Sequence, residues 1–247
     1  MSEIVKTEAV VLSKINYGDT SSIVTLYTES DGKISAIAKG GRSPKSKMGK
    51  VVDPINHLQI IIYKKDNRDL QILSSADLIS HFSKLKENLE STRFSFAIIE
   101  LVKNLTPEDE ANKKLFKGLV KILNLLDQGN EFPSVLFGKF FLFFLSELGY
   151  DLVIDKCGIC GKTLTSNSGT MGYNSELGLI CSDCFISHIG LENISAELFN
   201  YLICLKFNKK LNKVDEIIMD NLNSLLERYL KFHVPDFKGI QSLNIYK

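Results

Sequence analysis

The chain has 247 residues, with 30 Lys plus Arg against 29 Asp plus Glu and a formal net charge of +1. That balance excludes a uniformly basic, histone-like protein but leaves room for a local basic patch. With 44% hydrophobic and 24% charged residues, the composition is that of an ordinary globular protein, and global disorder is excluded.

Residues 1 to about 80 read as strands. Met1 to Val11 carries Glu3, Lys6 and Glu8 among its apolar residues, so no signal-peptide core is expected and the reducing cytoplasm is the expected compartment. Ile4 to Leu12 forms the first strand. Val24 and Leu26 alternate with Thr25 and Tyr27, the period of two that marks a half-buried strand. Ser30-Asp31-Gly32 then signals a hairpin, and Lys33 to Lys39 resumes the alternation. A loop spans Gly40 to Asp53, followed by strands from Ile55 to Tyr63 and from Leu70 to Leu73. Five strands in this length fit an OB-type barrel, and an SH3-like barrel fits nearly as well.

The same region holds the basic residues. Between Asp31 and Asp53 stand six cations and no acid: Lys33, Lys39, Arg42, Lys45, Lys47 and Lys50. Gly40, Gly41, Ser43, Pro44, Ser46 and Gly49 are expected to keep the segment flexible and let backbone approach a phosphate. Lys64, Lys65 and Arg68 make a second cluster in the loop between the last two strands. An OB barrel binds single strands on the face of strands 2 and 3 and its flanking loops, through cations and aromatic stacking. Tyr27 is the expected stacking platform and Tyr17 a weaker one.

From about His81 the period becomes helical. Leu85, Leu89, Phe96 and Ile99 share one face, and Leu115, Leu119, Ile122 and Leu126 another. Thr106-Pro107-Glu108 separates them, with Pro107 suited to the first turn of the second helix. A third helix starts at Phe132-Pro133-Ser134 and ends near Gly149. Lys139 and Glu147 interrupt its apolar run, leaving seven uncharged residues between them, so it cannot span a membrane. Phe137, Phe140, Phe141 and Phe144 make its apolar stripe, read as core, with partial exposure for docking a partner as the alternative. Helical patterning returns at Ser195 to Phe207 and Val214 to Phe232.

The most specific signal lies between these helices. Cys157-Gly-Ile-Cys160 and Cys181-Ser-Asp-Cys184 are separated by 20 residues. Each CxxC turn converges two thiolates, and two turns complete the tetrahedron that zinc prefers. A closed four-cysteine shell leaves no position for water or substrate, so one structural Zn²⁺ is expected. Lys156 and Lys162 can offset part of the thiolate charge. No phosphate-binding or dinucleotide glycine loop occurs, and His57, His81, His188 and His233 are scattered, so no enzyme is expected.

Several short motifs, in order, resemble the RecO family of bacterial recombination mediators. They are Ala9-Val10-Val11-Leu12, Tyr17-Gly18-Asp19, Thr25-Leu26-Tyr27-Thr28, Asp31-Gly32-Lys33 and Ala38-Lys39-Gly40-Gly41-Arg42 with Lys45-Ser46. Glu147-Leu148-Gly149-Tyr150 ahead of the first cysteine pair, the second pair, and Tyr229-Leu230-Lys231-Phe232-His233 with Ser242 complete the match. The resemblance implies an OB fold that binds single- and double-stranded DNA, anneals complementary strands and helps load recombinase onto strands coated with single-strand-binding protein. It implies RecR and the C-terminal tail of single-strand-binding protein as partners, with no membrane, in a nucleoid-associated cytoplasmic protein. One departure is that Gln241 and Leu243, rather than basic residues, flank Ser242.

The expected fold is α+β: an OB-type barrel over 1–80, an α-helical domain over 81–156 and 190–247, and a four-cysteine zinc module over 157–189. An RNA-binding OB and zinc-ribbon factor of translation or ribosome assembly is the alternative function.

Overall fold

The computed structural model describes residues 3–43, 45–65, 67–165, 170–187, 190–211 and 213–244. Pro44, His188 and part of the polar stretch between the cysteine pairs (166–169) lie outside the described residues. The chain divides into two compact units, Met1–Asn130 with Ile240–Lys247, and Glu131–Gly239.

The first unit is built on a closed barrel of five strands. They are β1 (Glu3–Tyr17), β2 (Ser21–Thr28), β3 (Gly32–Ala38), β4 (His57–Lys64) and β5 (Leu70–Ser80), in the order β1-β2-β3-β5-β4. All pairs are antiparallel except β3 with β5. Closure comes from β1, which pairs with β4 from Glu3 to Val10 and with β2 from Ala9 to Tyr17. A register shift between Val11 and Ser13 bends the strand where it changes partner. There the Val11 amide donates to the Asn56 carbonyl at 3.0 Å, and its carbonyl accepts from the Ile55 amide at 2.9 Å.

Inward positions follow the period of two. Ala9, Val11, Val24, Leu26, Ile34, Ala36, Leu58, Ile60, Ile62 and Leu73 fill the barrel, with Val52 from the loop before β4. The last strand is longer than Leu70 to Leu73. It pairs with β4 as far as Ser80 opposite His57, although Ser74, Ser75 and Asp77 blunt its apolar alternation.

Three helices share this unit: α1 (Ser83–Glu87), α2 (Leu89–Leu105) and α3 (Lys113–Gln128). Asn88 breaks the first from the second and caps the second, its side chain accepting from the Ser91 amide at 2.8 Å. That break resets the helical phase. Leu89 and Phe96 are therefore exposed, and Phe94, Ala97, Ile98, Leu101 and Val102 are buried in their place. Pro107 is not in a first turn either, because α3 begins at Lys113 with Asn112 as its cap. The segment before it is tied to the barrel, the Asp109 amide donating to the Lys33 carbonyl at 2.9 Å. Packing thus groups α1–α3 with the strands.

The second unit contains α4 (Pro133–Glu147), α6 (Ala196–Lys206) and α7 (Glu216–His233) packed on one another. It also holds a small sheet of β6 (Met171–Asn174), β7 (Gly178–Ile180) and β8 (Glu192–Ile194), with α5 (Ser182–Ser187) after β7. Phe137, Phe141 and Phe144 are fully enclosed and Phe140 is 2% exposed. The stripe is core, and the docking alternative falls. No helix among the described residues is long and apolar enough to cross a membrane.

One buried titratable group makes the barrel unit sensitive to pH. His57 is 5% exposed, its Nε2 2.9 Å from Glu8 Oε2 and its ring against Phe116. Burial lowers its pKa from 6.5, and the attraction of Glu8 only partly opposes this. A depressed folded pKa means that this contribution to stability is complete above pH 6.5 and is lost as pH falls through the folded value. Urea midpoints should therefore fall between pH 7.5 and pH 5.5 in the wild type, and fall less in His57→Gln. Equal losses in the two proteins would remove His57 as a cause.

Candidate metal centre and nucleic-acid interface

The first cysteine pair sits on a tight turn. The Cys157 amide donates to the Lys162 carbonyl at 2.8 Å, and the Gly161 amide returns to the Cys157 carbonyl at 2.9 Å. Gly158 passes so close to the next hairpin that a Cβ there would lie 1.8 Å from the Leu177 carbonyl oxygen. The second pair follows β7, so Cys181 leaves the hairpin and Cys184 lies in the first turn of α5.

These two turns bring the four sulfurs within 4.8 Å of one another. Cys160 and Cys181 Sγ are 3.7 Å apart. Metal–sulfur bonds of about 2.3 Å in a tetrahedron give sulfur separations of about 3.8 Å. The donor set fits a metal ion, and four protein ligands would complete its shell. Cys157 and Cys181 are buried, while Cys160 is exposed.

The electrostatics suit a cation at the centre. Burial opposes ionisation of Cys157, but amide hydrogen bonds at Cys160, Cys181 and Ile159 outweigh it and bring the thiol down to about 6. Desolvation and the neighbouring thiols push Cys184 up to about 12. Cys157 thus favours the thiolate and Cys184 resists it. Lys162 lies beside the cluster, paired with Asp183 at 2.9 Å, and Asp183 and the thiols hold its pKa above 10.5.

The basic residues of the barrel divide into two groups. Lys33 is 8% exposed, its Nζ donating to the Lys103 carbonyl at 2.7 Å and lying 3.4 Å from Glu108. Lys64 is paired with Asp31 and lies 3.8 Å from Asp109. Arg68 is half-buried and donates to the Tyr63 carbonyl at 2.9 Å. Lys33 and Lys64 are thus already neutralised and are withdrawn as phosphate contacts, whereas Lys65 remains exposed.

Lys39, Arg42, Lys45, Lys47 and Lys50 are all exposed and form no ion pair among the described residues. The nearest acid downstream, Asp53, is taken by Lys14 at 2.9 Å. Their loop is not the loose tether its composition suggests. Gly49 crosses Gly41 so closely that a Cβ would lie 1.6 Å from the Gly41 carbonyl oxygen, and Lys14 Nζ donates to the Gly49 carbonyl at 3.1 Å. The Arg42 guanidinium donates to the Gly18 carbonyl at 2.9 Å, and its amide to the Thr20 carbonyl at 2.8 Å. The cations are therefore displayed from a folded loop held against the β1–β2 turn.

The aromatic assignment reverses. Tyr27 is 1% exposed and offers no ring face to a base, because α2 packs on β1 and β2 and closes this end of the outer surface. Tyr17 is 51% exposed, beside the same β1–β2 turn that Arg42 grips. The strand register also brings together an outward row that no single segment reveals. Ile15, Ile23, Ile37 and Ile72 are successive cross-strand neighbours, and Ile23 and Ile37 alternate with the core residues of β2 and β3. Its signal was the outward phase of β2 and β3, legible only once strand register is known.

His81 and His233, the other histidines among the described residues, are structurally engaged. His81 meets Asn56 at 3.0 Å, and His233 is packed among Tyr150, Tyr229 and Phe232.

Comparison with known proteins agrees with this architecture. The family pattern described as Recombination protein O N terminal matches residues 1–82, and Recombination protein O C terminal matches 87–239. The chain is 30% identical to the DNA repair protein RecO of Alkaliphilus metalliredigens, across 99% of both chains. It is 28% identical to the namesake of Chloroherpeton thalassium over 98% of this chain and 97% of that one. The protein of the same name from Chlorobium limicola is 39% identical over 68% of this chain, a match spanning 64% of that relative's length.

The cluster geometry predicts that the purified protein carries one metal ion per chain. Cys160→Ser and Cys181→Ser should each release it and expose the 157–184 segment to protease, since metal binding supplies local folding energy. Metal-free protein with an equally protected segment would contradict the assignment.

Proposed function

Because the chain belongs to the RecO family of DNA repair proteins, we propose that it is a non-enzymatic recombination mediator. In this reading it binds single- and double-stranded DNA, anneals complementary strands and helps load recombinase onto strands coated with single-strand-binding protein. The barrel over 1–80 is the strand-binding part, the helices form its body, and the 157–189 module is a structural element held by zinc. Four sulfur donors in a closed tetrahedral set are the arrangement zinc favours among abundant divalent ions. RecR and the C-terminal tail of single-strand-binding protein are its partners, in the bacterial cytoplasm at the nucleoid. A partner contact adds to strand binding by raising local concentration, which a chain of net charge +1 needs on a strand already covered by another protein.

The observation that supports strand binding most is the exposure of Lys39, Arg42, Lys45, Lys47 and Lys50 on a loop that Arg42 ties to the β1–β2 turn, where Tyr17 is also exposed. Cations neutralise phosphates without regard to sequence, and an exposed ring stacks on any base. Together they suit a protein that must accept whatever strand is damaged. The RNA-binding alternative has no observation in its favour and is left to competition with RNA.

If all five cations meet phosphates, log K for single-stranded DNA falls with log salt at a slope of about −3.5, at roughly 0.7 per contact. Replacing Arg42, Lys45 and Lys47 by Ala should flatten the slope by about 2. Tyr17→Ala should cost about 1–3 kcal/mol with little change of slope. An unchanged slope in the triple variant would move the interface elsewhere, and RNA outcompeting DNA would favour the alternative.

A further inference from the structure

The connection between α6 and α7 carries a second basic tract that the proposed function leaves unused. From Lys206 to Val214 the sequence has four lysines, one phenylalanine and no acid. Its start is fixed by the end of α6, with the Phe207 amide on the Ile203 carbonyl at 3.1 Å and the Lys209 amide on the Cys204 carbonyl at 2.7 Å. Asn208 between them takes φ 51°, the left-handed turn that redirects the chain out of the helix. Its far end is fixed by Tyr201, whose hydroxyl donates to the Lys213 carbonyl at 2.9 Å and accepts from the Asp215 amide at 2.8 Å.

Phe207, Asn208, Lys209, Lys210 and Lys213 face solvent. Phe207 is 55% exposed despite being apolar, and Lys209 Nζ stands 5.9 Å from its ring centroid. Lys206 is paired with Asp151, but Lys209, Lys210 and Lys213 are exposed and form no ion pair among the described residues. The same three lysines line a cavity of about 430 Å³. Glu197 and Asp215 also line it, yet Asp215 is occupied in accepting from the Ile217 and Ile218 amides at the start of α7. The cations are in excess.

We propose that this tract is a second single-strand contact, carried by the helical unit and distinct from the barrel face. Lys209, Lys210 and Lys213 take phosphates, and the open face of Phe207 takes a base. An exposed ring among closely spaced unpaired cations is the combination that holds a flexible polyanion with stacking groups. The inference rests on the reading of the barrel as the first strand site. Each compact unit then carries its own strand contact, so one chain can hold two strands at once, as annealing requires.

The test uses the full-length chain and two non-complementary oligonucleotides, one with a donor dye and one with an acceptor. Energy transfer on mixing with protein reports both strands held together. Wild type should give transfer, and a variant with Phe207→Ala, Lys209→Ala and Lys210→Ala should lose it. Its affinity for a first strand should stay within about twofold, while annealing of complementary strands slows about tenfold, the effect of losing one stacked base. All three side chains are exposed, so circular dichroism should be unchanged. A Lys209→Gln, Lys210→Gln protein should likewise lose much of the transfer. Transfer retained in both variants overturns the assignment. Wild type that binds one strand but never two overturns it while leaving the barrel reading intact, and wild type that binds none overturns both. Loss of an acidic peptide's binding in the variant, with transfer unchanged, would assign the tract to a protein partner and overturn the proposal.

Discussion

Closure of the barrel depends on one strand serving two partners. β1 must hydrogen-bond β4 along its first half and β2 along its second, and it does so only by bending at the shift between Val11 and Ser13. The bend leaves Leu12 out of the register, and beside it Val11, opposite Leu26, exchanges hydrogen bonds with Ile55 and Asn56. Once β1 is so placed, every other register is determined, because a slip of one residue would turn Val24, Leu26, Ala36 and Ile60 out of the core. The same closure decides which outer surface remains open. α2 covers the outer surface near Tyr27 and Lys33, and the opposite end, with Tyr17 and the β1–β2 turn, is left to solvent.

That asymmetry explains what could be read from the sequence and what could not. Alternation in β2 and β3, the Asp31-Gly32 turn and the phenylalanine run of α4 are local signals, and each produced the element it suggested. The paired cysteines were legible for the same reason, since two short turns fix most of the cluster. Tyr27 and Lys33 could not be placed this way. Leu26, Tyr27 and Thr28 are buried in succession, because a helix remote in sequence packs on the outer side of a strand whose inner side is already core. Lys33 is drawn in by carbonyl and carboxylate partners some seventy residues further along the chain. No pattern within a strand encodes such partners. A glycine misled in a related way: Gly49 reads as flexibility, but its lack of a side chain lets the backbone cross closely over Gly41.

The two units reach order by different means. The barrel unit relies on apolar filling and a continuous ladder. Among the described residues the cysteine module has two short strands and a six-residue helix, with a third strand just beyond it, too little apolar surface to hold four thiols together unaided. Four converging thiols are ready ligands, and a metal ion bound by them would supply local folding energy. Charge is likewise local. A net charge of +1 conceals two cationic tracts, 39–50 and 206–213, each free of acidic residues and each beside an exposed aromatic ring.

The central claim is that the open end of the barrel's outer surface receives the strand. Photocrosslinking of single-stranded DNA to the full-length protein, with the modified peptides located by mass spectrometry, tests it most directly. The account predicts adducts at Tyr17 and within the 39–50 loop, with Tyr27 unmodified. Adducts at Tyr27, or none in either the β1–β2 turn or the basic loop, would contradict it.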